Sequence, residues 1–445
     1  MENFLRFFKK IIPPPIFAAL QPLYHWVLAW AAAAFYWFPS RKLKVIGVTG
    51  TNGKSTIVHL ITAILEEAGE RAASVSSIRF RIGAEERRND LKMTMPGRFK
   101  LQRFLRRAVN AGCKYAVIEV TSEGIQQYRH LGINFFMAVL TNVTPEHIES
   151  HGSFEKYRAA KAELFRKATV HILNREDPSV EYFLKIPAPS GRGSPKGAAR
   201  RIVYTKKDLP PDIHLRLLGE FNLENAVAAY HAAKILGIER EAIKRALEKV
   251  ECVPGRLEFI QRELFSVVVD YAHTPDALRK VYETLRPPSS KSPAGKKSDF
   301  FGDLKSDFKE AGDFFPGGRL VCVLGAAGGG RDEWKRPEMG KIASRFCDEI
   351  ILTNEDPYDE NPAAILNDIE AGFSKITNYK SQIPNSKKIL DRREAIRSAL
   401  KSAQSGDIVI ITGKGSEPWI MGPNGTQIPW DDREVVREEL KKIDH

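Results

Sequence analysis

The stretch V-I-G-V-T-G-T-N-G-K-S-T, from Val45 to Thr56, decides how the chain is read. A short β-branched run leads into a turn built on Gly50 and Gly53, and an apolar-periodic helix follows Lys54 and Ser55. Glycines let a backbone come close to phosphate with its N–H groups turned inward. The helix N-terminus adds a favourable dipole, Lys54 a point charge, and Ser55 a hydroxyl for Mg²⁺. The generic spacing G-x-x-x-x-G-K-[ST] is not met, because its first glycine would fall at Val48. The tighter G-T-N-G-K-S-T stands instead. A plain strand–turn–helix is the alternative; glycines, lysine and serine together at a helix start favour phosphate binding.

Working outward, strands and helices alternate. Helices are predicted at 57–65, 101–109, 222–236 and 240–250. Strands are predicted at 115–120, 137–140, 170–173, 265–270, 320–324, 349–352 and 407–411. This rhythm predicts an α/β protein with two doubly wound, mostly parallel sheets: a phosphate-loop central domain over 41–255 and a Rossmann-like C-terminal domain over 256–445. The boundary is placed at Val253-Pro254-Gly255. Residues 191–201 read as a surface loop and 287–318 as a flexible Pro/Ser/Lys/Gly-rich insertion.

The 445 residues, 43% hydrophobic and 28% charged, are globular in composition. The net charge of +13 favours an anionic partner: nucleic acid, a membrane surface, or phosphorylated and carboxylated small molecules. No nucleic-acid module signature is present, so nucleic acid is not expected. Cys113, Cys252, Cys322 and Cys347 form no C-x-x-C pair, so neither a disulfide framework nor a zinc ribbon is expected, and a cytoplasmic setting is.

Residues 1–40 form an apolar N-terminal helical segment. The stretch 16–38 is strongly apolar and lies between Lys9-Lys10 and Arg41-Lys42. Three readings stay open: a helix packed on the protein, a peripheral membrane contact, or a span interrupted by Gln21, Pro22 and His25.

Nearly every predicted strand ends in polar residues: 119–122, 141–142, 270–273, 325–331, 353–356 and 412–415. Ligands of open α/β sheets bind at the carboxyl ends of strands, so six such ends predict one or two facing clefts. Glu119 ends an apolar strand, where a carboxylate needs a cation; Mg²⁺ beside loop phosphates suits it. His147 is either a capping or core histidine or a ligand. Lys161 shares a helical face with Tyr157, Leu164 and Phe165, and is either a snorkelling or a functional lysine.

Nine segments carry a family resemblance. G-T-N-G-K-S-T, I-E-V-T-S, T-N-V-T-P-E-H-I-E-S-H-G, Y-R-A-A-K-A-E-L-F, G-E-F-N-L-E-N-A-V-A-A, V-P-G-R-L-E, V-D-Y-A-H-T-P-D-A-L, G-G-G-R-D-E-W-K-R-P-E-M-G and G-K-G-S-E occur in the order seen in the Mur ligases. The chain most resembles the MurE branch, which adds the third residue to the peptidoglycan precursor peptide. The resemblance implies an ATP-dependent amide ligase acting on a nucleotide-sugar peptide and an amino acid. A monomer is expected. Gly50, Thr51, Asn52, Gly53, Lys54, Ser55 and Thr56 would hold the ATP phosphates. Asn222, Asn225, Arg256 and Asp270 match positions around the nucleotide. Ser55 and Glu119 would bind one Mg²⁺, and His147 with Lys161, as a carbamate, a second. Thr94, Thr121, Gln127 and Arg129 match positions for the acceptor; Arg331, Asp356, Gly413 and Glu417 match those for the incoming amino acid. The C-terminal domain would bring the amine and close the site against water.

Two departures qualify the resemblance. The family's N-terminal uridine-binding domain is not seen ahead of the loop, so either another part holds the nucleotide-sugar or the acceptor is different, such as a lipid-linked one. Members that add diaminopimelate carry D-N-P-R where this chain has Glu355-Asp356-Pro357-Tyr358. Without the arginine fork, Asp356 would favour an amine, so lysine or ornithine is expected. The rivals are the synthase half of an amidotransferase and a binding module with a decayed nucleotide site.

Overall fold

The computed structural model describes residues 14–91, 93–146, 148–187, 189, 200–286, 318–373 and 385–443. The chain forms two compact units. The first comprises 1–143, 155–213 and 224–247; the second comprises 144–154, 214–223 and 248–445.

The first unit is built on eight strands: β1 (Lys44–Thr49), β2 (Ala72–Val75), β3 (Arg79–Ile82), β4 (Glu85–Arg88), β5 (Tyr115–Glu119), β6 (Phe135–Leu140), β7 (Ala168–Asn174) and β8 (Arg200–Tyr204). Their order is β4-β3-β2-β5-β1-β6-β7-β8. Pairing is parallel from β2 to β8, and β3 and β4 add an antiparallel edge. Every residue of β1 after Lys44 is buried, which suits a central strand covered on both faces. The chain steps from β5 across β1 to β6, so the order reverses beside β1. Such a reversal opens a crevice at the strand's carboxyl end, where Gly50 begins the turn.

The apolar N-terminal stretch forms α1 (Pro14–Phe35). No described helix is long and apolar enough to cross a membrane, which removes the spanning reading. Further helices are α2 (Lys54–Glu67), α3 (Arg98–Asn110) and α4 (Ser122–Gln126). Arg200 and Arg201, read from sequence as loop, begin β8; the exposed charges of this edge strand hide its β character. Residues 191–199 of that loop and 287–317 of the insertion lie outside the described residues.

The second unit holds β9 (Glu258–Gln261), β10 (Ser266–Val269), β11 (Leu320–Leu324), β12 (Glu349–Leu352), β13 (Asn385–Lys388) and β14 (Ile408–Ile411), in the order β13-β12-β11-β14-β10-β9. Only β9 runs antiparallel within this described sheet. Alternate residues feed opposite cores: Val268, Cys322, Leu324, Ile350 and Ile410 enter one, and Val267, Val321, Val323, Ile351 and Val409 the other. Cys322 and Cys347 are joined by a disulfide, against the sequence expectation. They are 25 residues apart, but Cys347 lies just ahead of β12, the neighbour of β11, so the sheet brings together what spacing cannot reveal.

Candidate active site

In the first unit the glycine turn is held by two close approaches. Gly50 has φ +148°, and a Cβ there would lie 1.8 Å from Thr141 Oγ1. Gly53 has φ +85°, and a Cβ there would lie 2.4 Å from Asn225 Oδ1. Neither position accepts a side chain as it stands. Thr51 N–H donates to Asn142 O at 2.7 Å and Asn52 N–H to Asn142 Oδ1 at 2.9 Å. Those two donors are therefore engaged by Asn142, contrary to a loop with all its N–H groups aimed at phosphate. Gly53 caps α2 without a side-chain hydrogen bond, so the open donors belong to the first turn, Lys54 to Thr56.

Glu119, at the end of β5 beside β1, faces this turn. Ser55 Oγ donates to its Oε2 at 2.8 Å, as does Ser77 N–H at 2.9 Å, and Lys54 Nζ lies 3.9 Å from its Oε1. Lys54 also donates to Thr51 O at 2.7 Å. Ser77 was not legible in sequence, because it falls in a polar turn with no motif of its own. The carboxylate and the serine hydroxyl form a small, hard-oxygen donor set next to the helix N-terminus, the chemistry that suits Mg²⁺.

Lys161 is buried in the helix Phe154–Phe165. Its Nζ donates to Gly50 O at 2.7 Å and sits 4.2 Å from the centroid of the Tyr157 ring. Tyr157 OH in turn meets Thr51 Oγ1 at 3.0 Å. The lysine thus reaches the turn itself and is not a snorkelling residue. As an amine it offers a donor and no anionic oxygen, so metal ligation would require the carbamate. His147 lies outside the described residues.

Of the acceptor set, Thr121 caps α4, accepting from Gly124 N–H at 3.1 Å, and Arg129 donates to Gln127 Oε1 at 2.6 Å. Thr94 is half-buried.

In the second unit, Asp270 is fully committed to backbone. It accepts from Leu257 N–H at 2.7 Å and Ala272 N–H at 2.6 Å, which fixes the turn carrying Arg256. Burial raises the Asp270 carboxyl despite the nearby Arg256. The Arg256 guanidinium lies 4.1 Å from the Tyr271 ring centroid. Asn222 Nδ2 donates to Leu218 O at 2.7 Å.

The amino-acid set clusters around a lysine that sequence reasoning placed at a strand end without assigning it a role. Buried Lys414 donates to Asp356 Oδ1 at 2.9 Å and Glu417 Oε2 at 2.5 Å. Burial alone would raise Glu417, but Lys414 and the Tyr271 hydroxyl hold it down at about 2. Asp356 also accepts from Met421 N–H at 2.8 Å. Its charge is met inside the protein, so the amine selectivity expected of it does not follow. Glu355 is the better candidate: it is buried, its Oε2 has no hydrogen-bond partner, and burial raises its carboxyl. It packs against Gly413, where a Cβ would lie 2.4 Å from that oxygen. Arg331 donates to Tyr358 OH at 3.2 Å. Arg392, paired with Asp432, donates to Asn354 O and Thr412 O and so ties two strand ends together.

The Mur ligase middle domain matches residues 48–233, and the Mur ligase glutamate ligase domain matches 303–415. The chain belongs to the Mur ligase family. A UDP-N-acetylmuramoyl-L-alanyl-D-glutamate–2,6-diaminopimelate ligase from Syntrophomonas wolfei is 36% identical over 93% of this chain and 81% of its own length. A UDP-N-acetylmuramyl-tripeptide synthetase from Roseiflexus sp. is 35% identical over 96% and 84%. Among solved structures, a UDP-N-acetylmuramoyl-L-alanyl-D-glutamate–2,6-diaminopimelate ligase is 29% identical, with TM-score 0.54 over 90% of this chain and 78% of that one. The chain is a MurE-type ATP-dependent ligase that forms amide bonds. ATP and a divalent metal are the cofactors that go with this family.

Proposed function

We propose that this Mur ligase joins an amino acid to the peptide of a UDP-N-acetylmuramoyl-type precursor in the cytoplasm. The convergence of Lys54, Ser55, Glu119 and Lys161 on one glycine turn carries the reading. A carboxylate is a poor electrophile, so the acceptor carboxyl first takes the γ-phosphoryl group of ATP to become an acyl phosphate. The first turn of α2 and Lys54 bind the triphosphate and offset its repulsion of the carboxylate. Ser55 and Glu119 would hold one divalent ion, and Lys161, as a carbamate, would serve a second with His147. Bound metal supplies charge neutralisation at the transferring phosphoryl group. The amine then attacks the acyl carbon and phosphate leaves.

For the amine, a basic side chain suits the pocket: Glu355 offers an unpartnered oxygen, and Tyr358 provides no cationic fork for a second carboxylate. Amino-acid-dependent ADP release with a UDP-N-acetylmuramoyl-dipeptide acceptor tests the whole reading. Lysine or ornithine is expected to exceed diaminopimelate by about tenfold, the value of one charge-assisted contact. Turnover with diaminopimelate alone would refute the specificity, and no turnover with any acid and amine would refute the function.

The outer face of α1 supports a peripheral membrane contact as well. Leu23, Trp26, Val27 and Trp30 are exposed along it, with Phe35 at its end, Trp37 just beyond and the exposed Arg41 and Lys42 following. Aromatic and aliphatic residues beside cations suit an anionic lipid surface. The protein is expected to co-sediment with phosphatidylglycerol vesicles, and a double Trp26→Ser, Trp30→Ser variant to stay in the supernatant. Equal sedimentation of the two would exclude this face.

A further inference from the structure

The inner face of α1 lies over two arginines, Arg98 and Arg129, that form no ion pair among the described residues. Ala29, Ala32 and Ala33 are buried, and Ala33 approaches Gly132 so closely that a Cβ on the glycine would lie 2.5 Å from it. Small residues bring the helix down onto the domain. The helix end is fastened by Arg106, which donates to Tyr36 O at 2.7 Å and Trp37 O at 3.1 Å. His25 stands one turn before Ala29 and so shares that inner face.

Beneath it, Arg98 and Arg129 are drawn together by one residue. Arg98 donates to Gln127 O, while Arg129 donates to Gln127 Oε1 and to Met95 O. Among the described residues neither guanidinium is in an ion pair. Arg98 Nε is buried without a partner, as are both ring nitrogens of His25. Burial and then the two arginines lower His25 to about 4, and burial and then Arg129 lower Arg98 to about 10, so the groups feel one another's charge. Two like charges with buried donors left over are costly unless an anion completes them.

We infer that Arg98, Arg129 and His25 form an oxyanion subsite for the acceptor, with α1 as one wall of the pocket. Gln127 and Arg129 stand at positions expected to touch the acceptor; Arg98 and the helix-borne His25 extend that set. The inference rests on the proposed function, in that the oxyanion is a phosphate or a second carboxylate of the nucleotide-sugar peptide. One inner wall and one apolar outer face give the same helix two separate duties.

The test compares Arg98→Gln, Arg98→Lys and His25→Phe with the wild-type chain, each checked for an unchanged melting profile. Arg98→Gln is expected to raise KM for the acceptor by about tenfold or more, with KM for ATP and kcat nearly unchanged. Arg98→Lys should recover part of the loss and His25→Phe should show a smaller rise. A folded Arg98→Gln protein with an unaltered acceptor KM would overturn the subsite and leave the proposed function standing. Should wild type turn over no acceptor, the function falls, and calorimetric titration still decides the subsite. UDP and a nucleotide-free muramoyl-dipeptide are the probes. Weaker binding of UDP alone by Arg98→Gln identifies phosphate, weaker binding of the muramoyl-dipeptide alone identifies carboxylate, and no change in either overturns the subsite.

Discussion

Replacing Lys54 with alanine is expected to lower kcat for ADP release by about a thousandfold or more, while the protein stays folded. The ammonium rests between Thr51 O, at 2.7 Å, and Glu119 Oε1, at 3.9 Å. Both are weak holds beside a triphosphate carrying several negative charges, so bound ATP is expected to draw the ammonium onto its phosphates. The charge matters most as the γ-phosphoryl group moves toward a second anion, the acceptor carboxylate, and repulsion peaks. The stability change should be small, because Glu119 keeps its bonds from Ser55 Oγ and Ser77 N–H when the lysine is gone. Lys54→Arg should recover little, since a planar fork does not fit the point-charge position between a carbonyl and a carboxylate. Steady-state kinetics with a melting curve decides the matter. A folded Lys54→Ala protein within tenfold of wild-type kcat would show that the loop holds phosphate without Lys54.

How far this site could be read from sequence depended on whether its chemistry sits in buried, periodic segments. The strand β1 and the helix α2 announce themselves by a β-branched run, two glycines and an apolar stripe, and Lys54 and Ser55 come with them. Strands β5, β11 and β12 are buried throughout and equally plain. The edge strands are different: β4 is E-E-R-R and β13 is N-S-K-K, exposed along their length, so no hydrophobic alternation marks them. Pairings across the sheet were also beyond reach. Nothing at Asp356 indicates that Lys414, 58 positions later, already occupies it, nor does Asn142 announce that it takes two loop N–H groups. Residue types predict what a group can do; only the fold shows which groups are already engaged.

Lys161 provides the sharpest case, because its two forms differ by two units of charge. As an ammonium it donates to Gly50 O and lies over Tyr157, which would make it a structural strut for the turn. As a carbamate, formed when neutral Nζ attacks CO₂ and releases a proton, it would present two anionic oxygens toward the turn. Lys161→Met separates the roles, since methionine fills most of the same volume in an apolar setting. A strut predicts a variant with a lower melting temperature and nearly normal turnover. A carbamate predicts loss of about a thousandfold or more in kcat with the fold retained, the scale expected when a metal ligand at a phosphoryl-transfer site is removed. The second outcome is expected. Wild-type activity should also fall in CO₂-depleted buffer and return with bicarbonate, and ¹³C-bicarbonate should give a carbamate resonance that is absent from Lys161→Met. Small carboxylic acids such as formate should partly restore Lys161→Ala, where the truncated side chain leaves space, and should not restore Lys161→Met. Turnover indifferent to CO₂ together with an active Lys161→Met would return the lysine to its structural role.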